Sequence, residues 1–224
     1  VNLKDAYKSL DEALIHGGID NNIKVNLIRI ESDKLKPGQV KNKLKNICGI
    51  LIPGGFGKRG TEGKIAAISY ARKYKVPFLG ICYGMQMAVI EYARNVLKIK
   101  KATSSEFSSS GVNVVGLIDE WDKDGKIFKG TTKELGGTMR LGLYEAKLKD
   151  RSLIKNIYKS NSIKERHRHR YEVNINFKSH FEKKGMIFSG ISPDNKLPEI
   201  IELINHPWFI GVQFHPEFKS RPLN

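Results

Sequence analysis

Cysteine is scarce in this chain: among 224 residues there are two, Cys48 and Cys82, too few for a disulfide framework. That excludes the small disulfide-stapled secreted scaffolds and points to a reducing, cytoplasmic compartment. No apolar run approaches the ~20 residues of a membrane-spanning helix, and the first residues lack a signal-peptide pattern, so no membrane is expected as a partner. The sequence also has no G-x-x-x-x-G-K-[ST], no H-E-x-x-H and no cysteine cluster. The usual signatures of a Walker-type phosphate loop and a zinc site are thus missing. Acidic residues are outnumbered, 23 against 39 basic, for a formal net charge of +16. The lysines stand singly (Lys4, Lys8, Lys24, Lys34, Lys36, Lys41, Lys43, Lys45) rather than in one aromatic-interleaved stripe. They read as a solvated surface more than as a nucleic-acid footprint.

What is present suits a globular chain, 40% hydrophobic and 28% charged, long enough for one large domain or two small ones. Residues 3–16 carry one apolar face and read as a helix, with Gly17-Gly18 as its C-cap. Residues 23–30 alternate like a strand, 40–47 suit a short helix, and 49–52 form an apolar strand ending at Pro53. A glycine-rich loop (54–60), a helix (62–74), a second apolar strand (76–79) and a helix (85–95) follow. Short apolar strands alternating with helices imply a parallel sheet covered on both faces. The second half reads differently, with strands at 112–118, 138–148, 166–173, 186–191, 199–204 and 209–214, a helix at 152–158 and a flexible loop at 104–111. The expected fold is α/β: a flavodoxin-like three-layer sandwich with a mostly parallel central sheet, extended by an antiparallel β-ribbon in its second half.

Gly80-Ile81-Cys82-Tyr83-Gly84 places a thiol where a strand breaks into a helix. Small residues on both sides permit the tight turn of a nucleophile elbow, and the helix N-terminus favours a thiolate there. An inert buried thiol fits these five residues equally well. A base and its orienter are available in His215-Pro216-Glu217, where a spacing of two can set imidazole and carboxylate on one side. Pro53-Gly54-Gly55-Phe56-Gly57 belongs at the same sheet edge, and its backbone N–H groups, with that of Tyr83, can form an oxyanion hole; a plain tight turn remains the alternative. In residues 165–172, His167 and His169 share one strand face and Arg166, Arg168 and Arg170 the other. The arginines suit a carboxylate or phosphate better than the histidines suit a metal.

Taken together, Pro53-Gly54-Gly55-Phe56-Gly57, Gly80–Gln86 (GICYGMQ), Gly136–Gly142 (GGTMRLG), Glu165–Glu172 (ERHRHRYE) and Gln213–Phe218 (QFHPEF) resemble the glutaminase domain of the CTP synthases. That group sits within the class I glutamine amidotransferases, and the resemblance covers residues 3–222. It implies a Cys82 nucleophile, His215 as general base and acid, and Glu217 as its orienting partner. It further implies oxyanion donors at Gly55 and Tyr83, and glutamine-binding roles for Gln86, Glu106 and Arg170. Glu106 and Arg170 complement an amino acid's ammonium and carboxylate. The implied reaction is hydrolysis of L-glutamine, with the ammonia used to convert UTP to CTP in an intact enzyme. ATP, Mg and the UTP site would belong to an N-terminal amidoligase domain of the same polypeptide, GTP to the interface between domains, and no cofactor to this domain. The loop 58–63 would be the lid. Three departures stand out: Tyr83 occupies a position usually held by leucine, and both a first sheet strand and a terminal helix are expected to lie outside residues 1–224. Two rivals are a cysteine peptidase on a similar sheet, which gives Glu106 and Arg170 no task, and a basic nucleic-acid-binding module.

Overall fold

The computed structural model describes residues 7–108, 110–117 and 139–222. In chain order the first half holds α1 (Lys8–Asp20), α2 (Val40–Leu44), β1 (Ile50–Ile52), α3 (Thr61–Tyr74), β2 (Phe78–Ile81), α4 (Tyr83–Asn95), β3 (Ala102–Ser104) and β4 (Val112–Leu117). The second half holds β5 (Arg140–Leu148), α5 (Leu153–Tyr158), β6 (Ser162–His169), β7 (Tyr171–Val173), α6 (Lys178–Glu182), β8 (Met186–Ile191), β9 (Pro198–Leu203) and β10 (Phe209–Val212).

The main sheet runs β1-β2-β10-β9-β8-β5-β6. Its first three strands are parallel, with β2 between β1 and β10, and β9, β8, β5 and β6 continue past β10 as antiparallel partners. The expected ribbons of the second half thus extend the parallel strands in one sheet. Parallel strands are buried on both faces, and residues of β2 alternate accordingly. Phe78 joins a core with α3 and α4, whereas Leu79 and Ile81 join Leu10, Ile154, Ile210 and Val212 on the face covered by α1 and α5. A second sheet, β3-β4-β7, lies beyond α4, which packs against both sheets and is buried at every residue from Tyr83 to Ala93. A largely apolar helix belongs in such a position, and its buried polar groups are paired, Glu91 with Arg72 at 2.7 Å and Gln86 with the Tyr171 carbonyl at 2.8 Å.

Three local expectations differ from the structure. Helix α1 does not stop at Gly17-Gly18 but runs to Asp20, and Asn22 makes the left-handed turn. Gly18 is there for space: a Cβ would stand 2.8 Å from the Ile23 carbonyl oxygen. Residues 23–30 form no strand, because a strand needs a ladder partner and they have none among the described residues. With β1 they line a cavity of about 770 Å³. The strand expected at 166–173 is two, because the chain breaks at Arg170 and passes from the main sheet to the second one. Residues 3–6 of the helix expected at 3–16, residue 109 of the loop expected at 104–111, residue 118, and Gly136, Gly137 and Thr138 lie outside the described residues. No helix among those described is long and apolar enough to cross a membrane.

Candidate active site

The elbow forms because its glycines leave no room for anything else. A Cβ on Gly80 would lie 2.7 Å from the Gly84 carbonyl carbon, and one on Gly84 would lie 2.1 Å from the Ile52 carbonyl oxygen. Between them Cys82 adopts φ +51° and ψ −102°, a conformation L-residues avoid, and α4 starts at the next residue. Strain of this kind at a non-glycine residue costs roughly 1–3 kcal/mol and clusters at functional sites. The Cys82 N–H donates to the Val212 carbonyl at 2.7 Å, tying the elbow to the end of β10. The thiol sulfur accepts from Gln213 Nε2 at 3.7 Å. Burial pushes the Cys82 thiol up to about 12, and the Tyr83 backbone N–H, the helix-terminal donor, works in the opposite direction. The helix end therefore favours the thiolate, as expected, but desolvation outweighs it in this setting.

Because β10 lies beside β2 in parallel, residues 213–217 emerge at the same edge as Cys82. The strand ends at Val212, two residues earlier than the sequence suggested, and Pro216 opens a single 3-10 turn, Pro216–Phe218. That turn brings His215 Nδ1 to 2.7 Å from Glu217 Oε1, while the Phe218 ring stacks on the imidazole. His215 and Cys82 share no hydrogen bond among the described residues. The loop backbone closes over His215 from the other side: a Cβ at Gly54 would stand 2.7 Å from His215 Cε1. Gly55 lies against the Tyr83 ring, and Gly57 takes φ +76°.

The residues assigned to glutamine binding stand in different settings. Glu106, in the turn after β3, accepts from the Gly57 N–H at 2.6 Å, and burial raises its carboxyl against that donor. Arg170 occupies the break between β6 and β7, with a buried Nη1 that has no hydrogen-bond partner among the described residues. An unpartnered guanidinium nitrogen is suited to accepting a carboxylate as partner. Gln86 turns inward, its Nε2 donating to the Tyr171 carbonyl at 2.8 Å and to Gln213 Oε1 at 3.3 Å.

Sequence reading missed two things. Gln213 is a side-chain neighbour of the thiol, and the signal was its place in the segment Gln213–Phe218. The other is a buried polar cluster behind His215. Arg140 donates to Glu172 at 2.8 Å and to Glu199 at 2.7 Å, and His167 Nδ1 lies 2.9 Å from His169 Nε2. His167 and His169 do share a face, as the alternation implied, and it is the buried one. His167 packs edge-on against Phe214. Burial, then Arg140 and His215, push His167 down to about 3. Desolvation raises Glu172 to about 8 although Arg140 opposes it.

This cluster has a pH signature. His167 stays neutral in the fold, while in the unfolded chain it takes a proton below its ordinary value of 6.5. Its neutral burial therefore stops being neutral in free energy as pH falls: stability is full above that value and drops toward pH 3 by about 1.4 kcal/mol per unit. Urea titrations between pH 7 and pH 5 are expected to show a shallower loss for His167→Gln than for the native chain. Equal slopes would remove His167 as the source.

Residues 2–224 match the family model described as glutamine amidotransferase class-I. The chain is 77% identical over 223 residues to the CTP synthase of Pelagibacter ubique, covering 100% of this chain and 41% of that protein. It is 56% identical to the CTP synthase of Zymomonas mobilis, covering 100% of this chain and 42% of that one. It thus spans about two fifths of the length of these curated relatives. Among solved structures, the glutaminase domain of Trypanosoma brucei CTPS with bound acivicin superposes with a TM-score of 0.89 at 34% identity, covering 99% of this chain and 84% of that one.

Proposed function

The chain belongs to the class I glutamine amidotransferases, and on that premise we propose that it hydrolyses L-glutamine to glutamate and ammonia through a thioester on Cys82. The observation that carries this reading is the strained elbow: a non-glycine residue at φ +51° that presents a thiol beside the N–H of Tyr83, at the edge where His215 pairs with Glu217. His215 takes the thiol proton as the sulfur attacks the side-chain amide carbon. The oxygen becomes an oxyanion held by the N–H groups of Gly55 and Tyr83. His215 returns its proton to the leaving nitrogen, ammonia departs, and the thioester remains. A water then gives a proton to His215, attacks the thioester and releases glutamate with the thiol restored. Glu217 holds the Nδ1 proton throughout, so Nε2 faces the reaction. The sulfur–imidazole contact forms in the substrate complex, where catalytic hydrogen bonds tighten. Arg170 takes the glutamine carboxylate, Glu106 its ammonium, and Gln86 orders the wall behind them.

In the longer protein to which its relatives correspond, the ammonia aminates UTP to CTP in the cytoplasm. Among the described residues no three His, Cys, Asp or Glu side chains converge to hold a metal ion. Mg and ATP are assigned to an N-terminal amidoligase domain, and GTP to its interface with this one, near the loop 58–63, on the likeness to the CTP synthases.

A chloroketone analogue of glutamine tests the reading. It is expected to add one adduct, on Cys82 and not on the exposed Cys48, and excess glutamine is expected to block it while a peptide is not. Labelling at Cys82 that glutamine leaves unchanged would overturn the assignment.

A further inference from the structure

Tyr83 does more in this fold than present a backbone N–H. Its side chain is buried beneath the glycine loop, with the ring in contact range of Gly55: a Cβ there would lie 3.8 Å from Tyr83 Cδ1. The phenol then reaches past Gly55 and donates to the Gly57 carbonyl at 2.5 Å. The neighbouring peptide group is held from the other side, where the Gly57 N–H donates to Glu106 at 2.6 Å. Phe107 meets the ring edge-on at 6.0 Å and Lys64 Nζ lies 5.4 Å from its centroid, so the ring has one place to be.

We propose that Tyr83 is a positioning residue that latches the glycine loop over Cys82, its hydroxyl on the Gly57 carbonyl acting with Glu106 on the Gly57 N–H. This rests on the glutaminase reading above, because the loop matters as the source of one oxyanion donor. The two donors of that hole then belong to one unit. The Tyr83 N–H is fixed by α4, and its own side chain sets the loop that carries the Gly55 N–H. Leucine, usual at this position, would fill the space under Gly55 but would leave the Gly57 carbonyl without its donor.

The same arrangement couples substrate to loop. Glu106 is the carboxylate assigned to the glutamine ammonium, and it already holds the Gly57 N–H. When an ammonium arrives, the two cationic and amide donors share one carboxylate, so Glu106 grips the loop less. The Tyr83 hydroxyl holds the loop in place during that exchange. Its loss therefore acts on the bound complex, and the effect falls on kcat more than on KM.

The test is Tyr83→Phe in the full chain, which keeps the ring and removes one oxygen, with Tyr83→Leu as a second variant. One hydrogen bond of this kind is worth about 1 kcal/mol, so kcat is expected to fall roughly fivefold to tenfold in both while KM stays within about twofold. Backbone hydrogen exchange over residues 54–58 is expected to speed up about fivefold in both, with exchange in α4 unchanged. The exchange measurement needs no turnover, so it stands if the glutaminase reading fails. Unchanged loop exchange in Tyr83→Phe would overturn the latch even with the native chain fully active. A native chain that releases no glutamate would overturn the functional reading instead. Faster exchange with kcat untouched would show that the hydroxyl holds the loop without serving the reaction, which also ends the proposal.

Discussion

Cys82→Ala is expected to abolish glutamate release, by about 10⁴-fold or more, while the chain stays folded. The size of the effect follows from the site. Glutamine's amide is a poor electrophile, and the other groups at the edge (His215, Glu217 and the loop N–H groups) supply proton transfer and charge stabilisation but no nucleophile. Water must replace a sulfur held at the elbow, and the thioester that divides the reaction into two easier steps is lost. Stability changes little by comparison. Alanine keeps the φ +51° strain already present and removes one sulfur from a site that is 4% exposed, so the expected loss is about 1 kcal/mol. The measurement is glutamate formed from glutamine, with the fold checked by urea titration. In the longer protein, CTP formation from added ammonia is expected to survive the substitution, because ammonia enters after the step Cys82 performs. Normal glutamine turnover in the variant would sink the mechanism.

The second large effect is on stability. Arg140→Met is expected to cost about 3–5 kcal/mol, the range for breaking a buried ion pair by removing one partner. Glu172 and Glu199 have fully buried side chains, and Arg140 is the cation that touches both. Burial works against the charge on Arg140, but the two carboxylates hold it protonated. Without it, two carboxylates face each other in a desolvated space beside His167 and His169. Burial already raises both carboxyls, and without Arg140 both must stay neutral in the fold, so the expected loss grows as pH rises above the ordinary carboxylate range. Arg140→Lys should fail as well, since one ammonium cannot span both acceptors as the guanidinium does. Combining Arg140→Met with Glu172→Gln and Glu199→Gln should recover most of the loss. The check is the urea midpoint of each variant. A single variant within about 1 kcal/mol of the native chain would show that the cluster carries no net charge penalty.

Much of the site was legible in the chain because its geometry is local. Gly80, Cys82 and Gly84 specify the elbow by sterics within five residues. His215 and Glu217 lie two apart, so a turn suffices to join them even though the strand ends earlier than expected. The alternation His167, Arg168, His169 determined which side chains share a face. Local pattern failed where a distant neighbour decides the outcome. Gly17-Gly18 looks like a cap until Ile23 packs on it, and residues 23–30 look like a strand but have no ladder partner among the described residues. The break at Arg170 comes from the chain changing sheets.

By itself, then, the sequence determined the elbow and the His-Glu turn, since steric rules and short spacings act before any fold exists. It also carried the resemblance that named the substrate. Only the tertiary structure decided how these parts serve one another. It placed Arg140 between two carboxylates from strands far apart in sequence, turned Gln213 toward the thiol, and set the Tyr83 hydroxyl on Gly57. Such contacts join residues 26 to 131 positions apart. No local periodicity encodes them, because the free energy that makes them arises when α4 is buried between two sheets.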